Sequence, residues 1–294
     1  MRSAAFDYFA PNTLDEAIAQ LAEHGPDARI LAGGQSLIPA MNLRLAQPPV
    51  VIDLANVPGL ANIEQSGDVV TIGARTTHAE IAASPVLQKA LPMLPFMAQY
   101  IGHAAIRQRG TFGGSLANAD PASEWPCALL ALDGRVEAIS PRGERTIPSH
   151  EFFRSYFTTA LEPDEILTRV VLPVHGAAGH NWSFQEVARQ SGAFGLVLVL
   201  ACGTLSSDGT VADLRIAVGG CGACPLLPTD GCSGLIGSRP SIASVEKIAK
   251  RIAAGLDPMG DSNASGEDRR QIAATLVRRT LTDVFGLERQ GARR

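Results

Sequence analysis

Two short glycine turns carry the chemistry that can be read from this chain: Leu31-Ala32-Gly33-Gly34-Gln35-Ser36-Leu37 and Thr111-Phe112-Gly113-Gly114-Ser115-Leu116-Ala117-Asn118. Glycine lacks Cβ, so it takes positive φ freely and lets an anion approach the main chain, where successive N–H groups converge into a nest. Either turn alone reads as an ordinary Gly-Gly turn. The pair, with polar Gln35, Ser36 and Ser115 just after the glycines, suits the two phosphates of one pyrophosphate.

Other signatures of nucleotide binding or nucleophilic catalysis are missing. Neither G-x-G-x-x-G after a strand nor G-x-x-x-x-G-K-[ST] occurs. Gly220-Cys221-Gly222-Ala223-Cys224-Pro225 comes nearest, but it fails at the third glycine and sets Pro225 where a helix should open. No Ser/His/Asp or Cys/His pattern stands out, and His103 reads as a structural or surface histidine. Cys221, Cys224 and Cys232 lie close together, with Cys127 and Cys202 elsewhere. No fourth ligand follows Cys232 at metal-binding spacing, so they read as free thiols and no metal is expected.

The elements that must position the turns follow from local signals. Thr13 to Glu16 forms a capping box, Leu14, Ala17, Ile18 and Leu21 repeat at helical spacing, and His24-Gly25-Pro26 ends that helix. A strand over 29–32 runs into the first turn, and Val50 to Leu54 reads as a buried strand, which closes a unit of about residues 1–56. A second unit, 57–175, opens on Val69 to Gly73. It carries a capping box at Thr77 to Glu80 and an N-cap with proline at Ser84-Pro85. Its helix toward Ile101-Gly102 should break around Pro92 and Pro95. After the second turn come a short helix over 122–132 and strands at 135–140 and 166–172. A run of small and polar residues, His175 to His180, marks a domain boundary. Beyond it, in a domain spanning 180–287, three antiparallel strands are expected at 182–189, 195–205 and 211–218. The last two are joined by a hairpin turn at Ser206-Ser207-Asp208-Gly209, and amphipathic helices follow at 242–254 and 267–285.

Length and composition agree with this plan. At 294 residues, 46% hydrophobic and 18% charged, the chain has room for about two domains with separate cores. A net charge of −4 with scattered basic residues gives no footprint for nucleic acid. No apolar run reaches the ~20 residues of a membrane span. The N-terminus lacks the apolar stretch of a signal peptide, so a cytoplasmic location is expected.

Longer blocks around the turns resemble a known family, the FAD-binding medium subunit of the molybdenum hydroxylases, which include xanthine and carbon monoxide dehydrogenases. The blocks are Ala32 to Pro39 with Met41 to Ala46, and Ile106-Arg107 through Thr111 to Pro121 with Ser123-Glu124-Trp125-Pro126. The resemblance implies an α+β fold: a two-subdomain FAD-binding domain of the PCMH type, then a C-terminal domain with a three-stranded antiparallel sheet and helices. It places Ala32, Gly33, Gly34, Gln35, Ser36 and Leu37, with Thr111, Phe112, Gly113, Gly114 and Ser115, at the pyrophosphate through main-chain N–H groups. Asn118 and Asp120 belong to the same block. Ile101 and Gly102 would line the flavin or its ribityl chain, Glu124 would contact the cofactor, and Leu167 would lie near the adenine. Gln185 stands where lysine is frequent, and Ala193-Phe194 where an acidic residue and tyrosine are frequent. Phe194 then either lies against the isoalloxazine or is core at the start of a strand. By the same resemblance, a large subunit holds the molybdopterin cofactor, a small subunit holds two [2Fe–2S] clusters, and two heterotrimers pair. An oxidoreductase role follows, with substrate hydroxylation on another chain. A self-contained flavin oxidase or reductase on a related fold is the competing reading, and a scaffold without cofactor a further one.

Overall fold

The computed structural model describes residues 2–174 and 180–287, so the expected boundary at 175–179 lies outside the described residues. The first unit contains β1 (Asp7–Phe9), α1 (Leu14–His24), β2 (Ala28–Leu31), α2 (Leu37–Asn42) and β3 (Val50–Asp53). The three strands are parallel, with β3 in the middle. Ala17, Ile18 and Leu21 of α1 pack on Ala28, Val50 and Ile52, which is why those helix positions are apolar. Only half of the expected capping box forms at Thr13. Its hydroxyl accepts from the Glu16 N–H, while the Glu16 carboxylate accepts from the N–H of Asn12, one residue earlier.

The second unit contains β4 (Ile63–Ser66), β5 (Val69–Gly73), α3 (His78–Ala83), α4 (Pro85–Ala90), α5 (Met93–Met97) and α6 (Ala104–Arg107). Next come α7 (Phe112–Asn118), α8 (Glu124–Ala131), β6 (Arg135–Ser140), β7 (Gly143–Pro148) and α9 (Ser149–Phe152). A two-stranded ribbon, β8 (Phe153–Ser155) and β9 (Thr158–Thr159), precedes β10 (Ile166–Pro173). The antiparallel sheet has the order β4-β5-β10-β6-β7, and the helices bury its apolar face. Thr77 and Glu80 close a full capping box, and the Ser84 hydroxyl caps α4 ahead of Pro85. The helical segment breaks at Leu91-Pro92 as expected. Pro95 is tolerated because it sits in the first turn of α5, where its missing N–H would have had no intrahelical partner.

The C-terminal domain contains β11 (His180–Ala188), β12 (Gly195–Leu205), β13 (Val211–Gly219), α10 (Thr229–Cys232), α11 (Ile242–Ala254) and α12 (Gly266–Val284). Its antiparallel sheet, β11-β12-β13, turns at Ser206 to Gly209 as expected. Both faces of this sheet are covered. Val197, Val199 and Ala201 pack on α11 and α12, whereas Phe184, Leu198 and Leu200 join the core of the second unit, with Trp125 of α8. Burial on both faces explains the apolar run of β12, which does not alternate. Trp182 and Phe184 meet Phe96 and Tyr100 edge-on, at centroid distances of 5.3 and 5.1 Å.

Candidate flavin site

The first glycine turn leaves a row of donors free. No acceptor among the described residues takes the N–H groups of Gly33, Gly34, Gln35 and Ser36. Gly34 has φ 74°, a conformation only glycine adopts readily, and the Gln35 side-chain amide donates back to the Gly33 carbonyl at 3.2 Å. A Cβ on Gly33 would overlap the Arg109 carbonyl oxygen and lie 2.7 Å from Gly110 Cα. The turn therefore rests directly on the main chain that leads into the second turn.

The second turn is built differently. It opens α7, and each of its N–H groups from 112 to 115 has an acceptor inside the chain. Phe112 donates to Thr76 O at 2.9 Å, Gly113 to Ala74 O at 2.9 Å, and Ser115 to Thr111 O at 3.0 Å. Gly114 donates to the Thr111 hydroxyl at 3.1 Å, the N-cap bond of α7. A Cβ on Gly113 would lie 2.6 Å from that of Ala74, and one on Gly114 would lie 3.4 Å from that of Ala32. The two turns are thus neighbours, with Ser115 and Asn118 half-buried on α7 beside them.

Buried polar groups hold the second turn in place. The Trp125 indole donates to His78 Nδ1 at 3.0 Å, the His78 N–H donates to Gly110 O, and the ring lies against Gly110. Burial, and then the nearby Arg107 charge, lowers the His78 pKa to about 4, so the ring is neutral. Arg107 itself clamps Ile101 and Gly102, its guanidinium donating to both carbonyls at 3.1 and 2.8 Å.

The C-terminal domain reaches this region through the loop after β11. A Cβ on Gly192 would lie 3.0 Å from the Gly102 carbonyl, so the loop that ends in Phe194 touches the Ile101-Gly102 corner. Phe194 is 60% exposed, which rules out a core role for it. Gln185 points the other way: its amide and the Ser183 hydroxyl both donate to Asp283 of α12, at 3.1 and 3.0 Å. Leu167 is buried in the core of the second unit. The Asp120 carboxylate accepts from the Ala122 N–H, and burial raises its pKa. Glu124, in the first turn of α8, is only 4% exposed. Burial first, then the charges of Glu186 and Asp120, push its pKa up to about 8. Burial alone raises Glu186 to about 7.

Sequence reasoning found the two turns but missed what they rest on. Ala74, Thr76 and His78 carry no motif, Arg107 and Arg109 fall in the second resemblance block with no role announced there, and only the folded chain brings these residues to the site. Cys221, Cys224 and Cys232 are free thiols, and no metal-binding group occurs among the described residues.

Four N–H groups on a strand-to-helix turn, with no acceptor among the described residues, are donors of the kind that an anionic oxygen cluster needs. Residues 4–175 match the family model described as the FAD binding domain in molybdopterin dehydrogenase. Residues 182–284 match the CO dehydrogenase flavoprotein C-terminal domain. The chain is 43% identical over 284 residues to the nicotine 6-hydroxylase medium subunit of Paenarthrobacter nicotinovorans, covering 96% of this chain and 98% of that one. A chain of the carbon monoxide dehydrogenase from Hydrogenophaga pseudoflava, in a form lacking the Mo-pyranopterin moiety, superposes with a TM-score of 0.94 at 32% identity, over 97% of this chain and 99% of that chain. Quinoline 2-oxidoreductase from Pseudomonas putida 86 gives 0.92 at 34% identity, with the same coverage. No described helix is long and apolar enough to cross a membrane. The chain belongs to the FAD-binding medium-subunit family of the molybdenum hydroxylases, the xanthine and carbon monoxide dehydrogenase type, and its role is that of an oxidoreductase component transferring electrons through FAD.

Proposed function

We propose that this chain is the flavin subunit of a cytoplasmic three-chain molybdenum hydroxylase, in which a large subunit carries the molybdopterin cofactor and a small subunit carries two [2Fe–2S] clusters. The observation that carries the reading is the row of free N–H groups from Gly33 to Ser36, set within a chain related along nearly its full length to medium subunits. Bound FAD would supply a carrier that accepts electrons singly from iron–sulfur centres and releases them in pairs to an external acceptor.

Within this assignment Gly33, Gly34, Gln35 and Ser36 bind the pyrophosphate by main-chain donation. Thr111 to Ser115 form the second wall, where Thr111 holds the turn and Gly114 keeps space open beside Ala32. Ile101 and Gly102, fixed by Arg107, line the crevice between the two domains. Phe194, exposed on the facing loop, screens that crevice from water and from the acceptor. Asn118, Asp120 and Glu124 follow the second wall and supply polar contacts. Leu167 backs the site from the core, and Gln185 acts only through Asp283.

Purification from the native host tests this assignment. The chain should bring down two further chains, of roughly half and two to three times its mass, as two heterotrimers, and acid should release FAD from it. A chain that leaves its host alone with full substrate turnover would establish the self-contained flavoenzyme instead.

A further inference from the structure

The stretch Met41 to Ala46 follows the first glycine turn but takes no part in the nest. It brings large apolar side chains to the surface, with Leu43 55% and Leu45 81% exposed, and Ile38 stands half-exposed one turn earlier. Single exposed leucines are ordinary, but these are held in place by their own backbone. α2 ends in a complete Schellman motif: the Arg44 N–H donates to Met41 O at 3.0 Å and the Leu45 N–H to Ala40 O at 2.9 Å. The left-handed residue of such an ending is usually glycine, and here it is Arg44, at φ 57°. The residue after it usually packs back on the helix, whereas Leu45 lies in water. Side-chain bonds fix the same turn, since the Gln47 amide donates to Arg44 O at 3.2 Å and Arg44 Nε donates to Arg2 O at 3.5 Å. Backbone strain that displays side chains without a local contact in return points to a contact with another molecule.

The displayed residues adjoin the flavin site. Ser36, the last donor of the nest, is the N-cap of α2, and a Cβ on Gly34 would lie 3.2 Å from Ile38 Cγ1. A helix of six residues sets Leu43 to Leu45 roughly 10 Å from the nest. The charge there is of one sign. From Arg29 to Ile52 the only charged side chains are Arg29 and Arg44, and the next acid, Asp53, already accepts from the Tyr8 hydroxyl and the Ala55 N–H.

We propose that Leu43, Arg44 and Leu45 are the anchor on which the [2Fe–2S] subunit docks. An iron–sulfur cluster held by thiolates carries net negative charge, and a cationic surface free of acids complements it. Once covered, an arginine of this kind carries a large share of binding, and Leu43 and Leu45 keep water away from it. Three side chains are less than the area of a stable complex, so they anchor a wider interface. Docking at this place sets the electron donor beside the flavin site on the first unit. The loop of Phe194, on the C-terminal domain, is left to the acceptor.

This docking role rests on the flavin-subunit assignment, and one experiment separates the two. The assembled enzyme is immobilised through this chain, as native protein and as variants, and the iron washed from it over time gives the release rate of the [2Fe–2S] subunit. Leu45→Asp, at a site mostly in water, should leave the melting temperature unchanged and speed release about tenfold, or yield a complex without iron. Should that variant fail to fold, Arg44→Gly decides. Glycine takes φ 57° without strain, so the melting temperature should rise while release becomes about tenfold faster and less sensitive to salt. A native chain that brings down no iron overturns the flavin-subunit assignment and the docking role with it. A native complex that holds iron, beside variants that release it at the native rate, overturns the docking role alone. So do variants that keep their iron but lose the large subunit or a second copy, and so does an Arg44→Gly chain with a lower melting temperature.

Discussion

The two glycine turns have nearly the same local sequence, Gly-Gly followed by polar residues, and they end as different objects. At Gly33-Gly34 the chain leaves a parallel strand and turns with its donors free. At Gly113-Gly114 the preceding threonine caps a helix, and carbonyls from Ala74 and Thr76 take the first N–H groups. In both turns glycine permits a close approach, of Arg109 and Gly110 main chain in the first and of Ala74 in the second. What separates the turns is their N–H groups, which stay without an acceptor among the described residues at the first and are bonded within the fold at the second.

Substitutions can break this comparison, and the largest effect belongs to the first turn. Gly33→Ala forces the main chain away from Arg109, so a folded but flavin-free protein is expected when FAD is assayed after acid release. Full flavin occupancy in this variant would falsify the open-nest assignment. Acid comes next, acting on the second turn through His78. Its pKa is lowered to about 4, so the native state resists protonation, and stability should be lost as pH falls from about 6.5 toward 4, by up to ~3 kcal/mol. The indole N–H resonance of native Trp125 should stay constant from about pH 6.5 until the pH nears 4 and shift only there. A shift complete by about pH 6 would show that His78 is not held neutral as described.

Smaller effects sharpen the contrast. Gly113→Ala should lower unfolding free energy by ~1–3 kcal/mol, because the new Cβ meets Ala74 in a turn whose N–H groups are already bonded within the chain. Any flavin loss should follow the stability loss and be relieved at low temperature, in contrast to Gly33→Ala. Thr111→Val removes the cap and should cost ~1 kcal/mol in denaturant titration while FAD is retained. A variant that loses FAD with unchanged stability would move the second turn into the same class as the first. Gly255→Ala serves as reference: at φ −84° with no close neighbour, it should change stability by less than ~1 kcal/mol.

Legibility in the sequence followed the range of the interactions. The Thr77–Glu80 box could be read because both bonds are local, and β12 because a long apolar run must be buried. β7, Gly143–Pro148, escaped notice because it is a largely exposed edge strand without alternation. α7 was hidden by its own glycines and asparagine, poor helix formers held here by the Thr111 cap and by burial of Phe112 and Leu116. At the site, the glycines announced themselves, but which turn keeps its N–H groups free depends on carbonyls some forty residues earlier in the chain. The direction of Gln185 follows from strand alternation: Ser183 and Gln185 face α12, while Phe184 faces the core of the second unit.

The sheet β11-β12-β13, covered on both faces, has a consequence for how the protein is made. Its inner side, with Phe184, Leu198 and Leu200, is completed by α8 and α5, which leave the ribosome earlier. Domains form from the N-terminus as synthesis proceeds, so the last strands emerge onto a surface already waiting for them. Order of translation thereby acts as a chaperone for this face, and a C-terminal fragment produced by itself would carry the same residues into water as an adhesive surface.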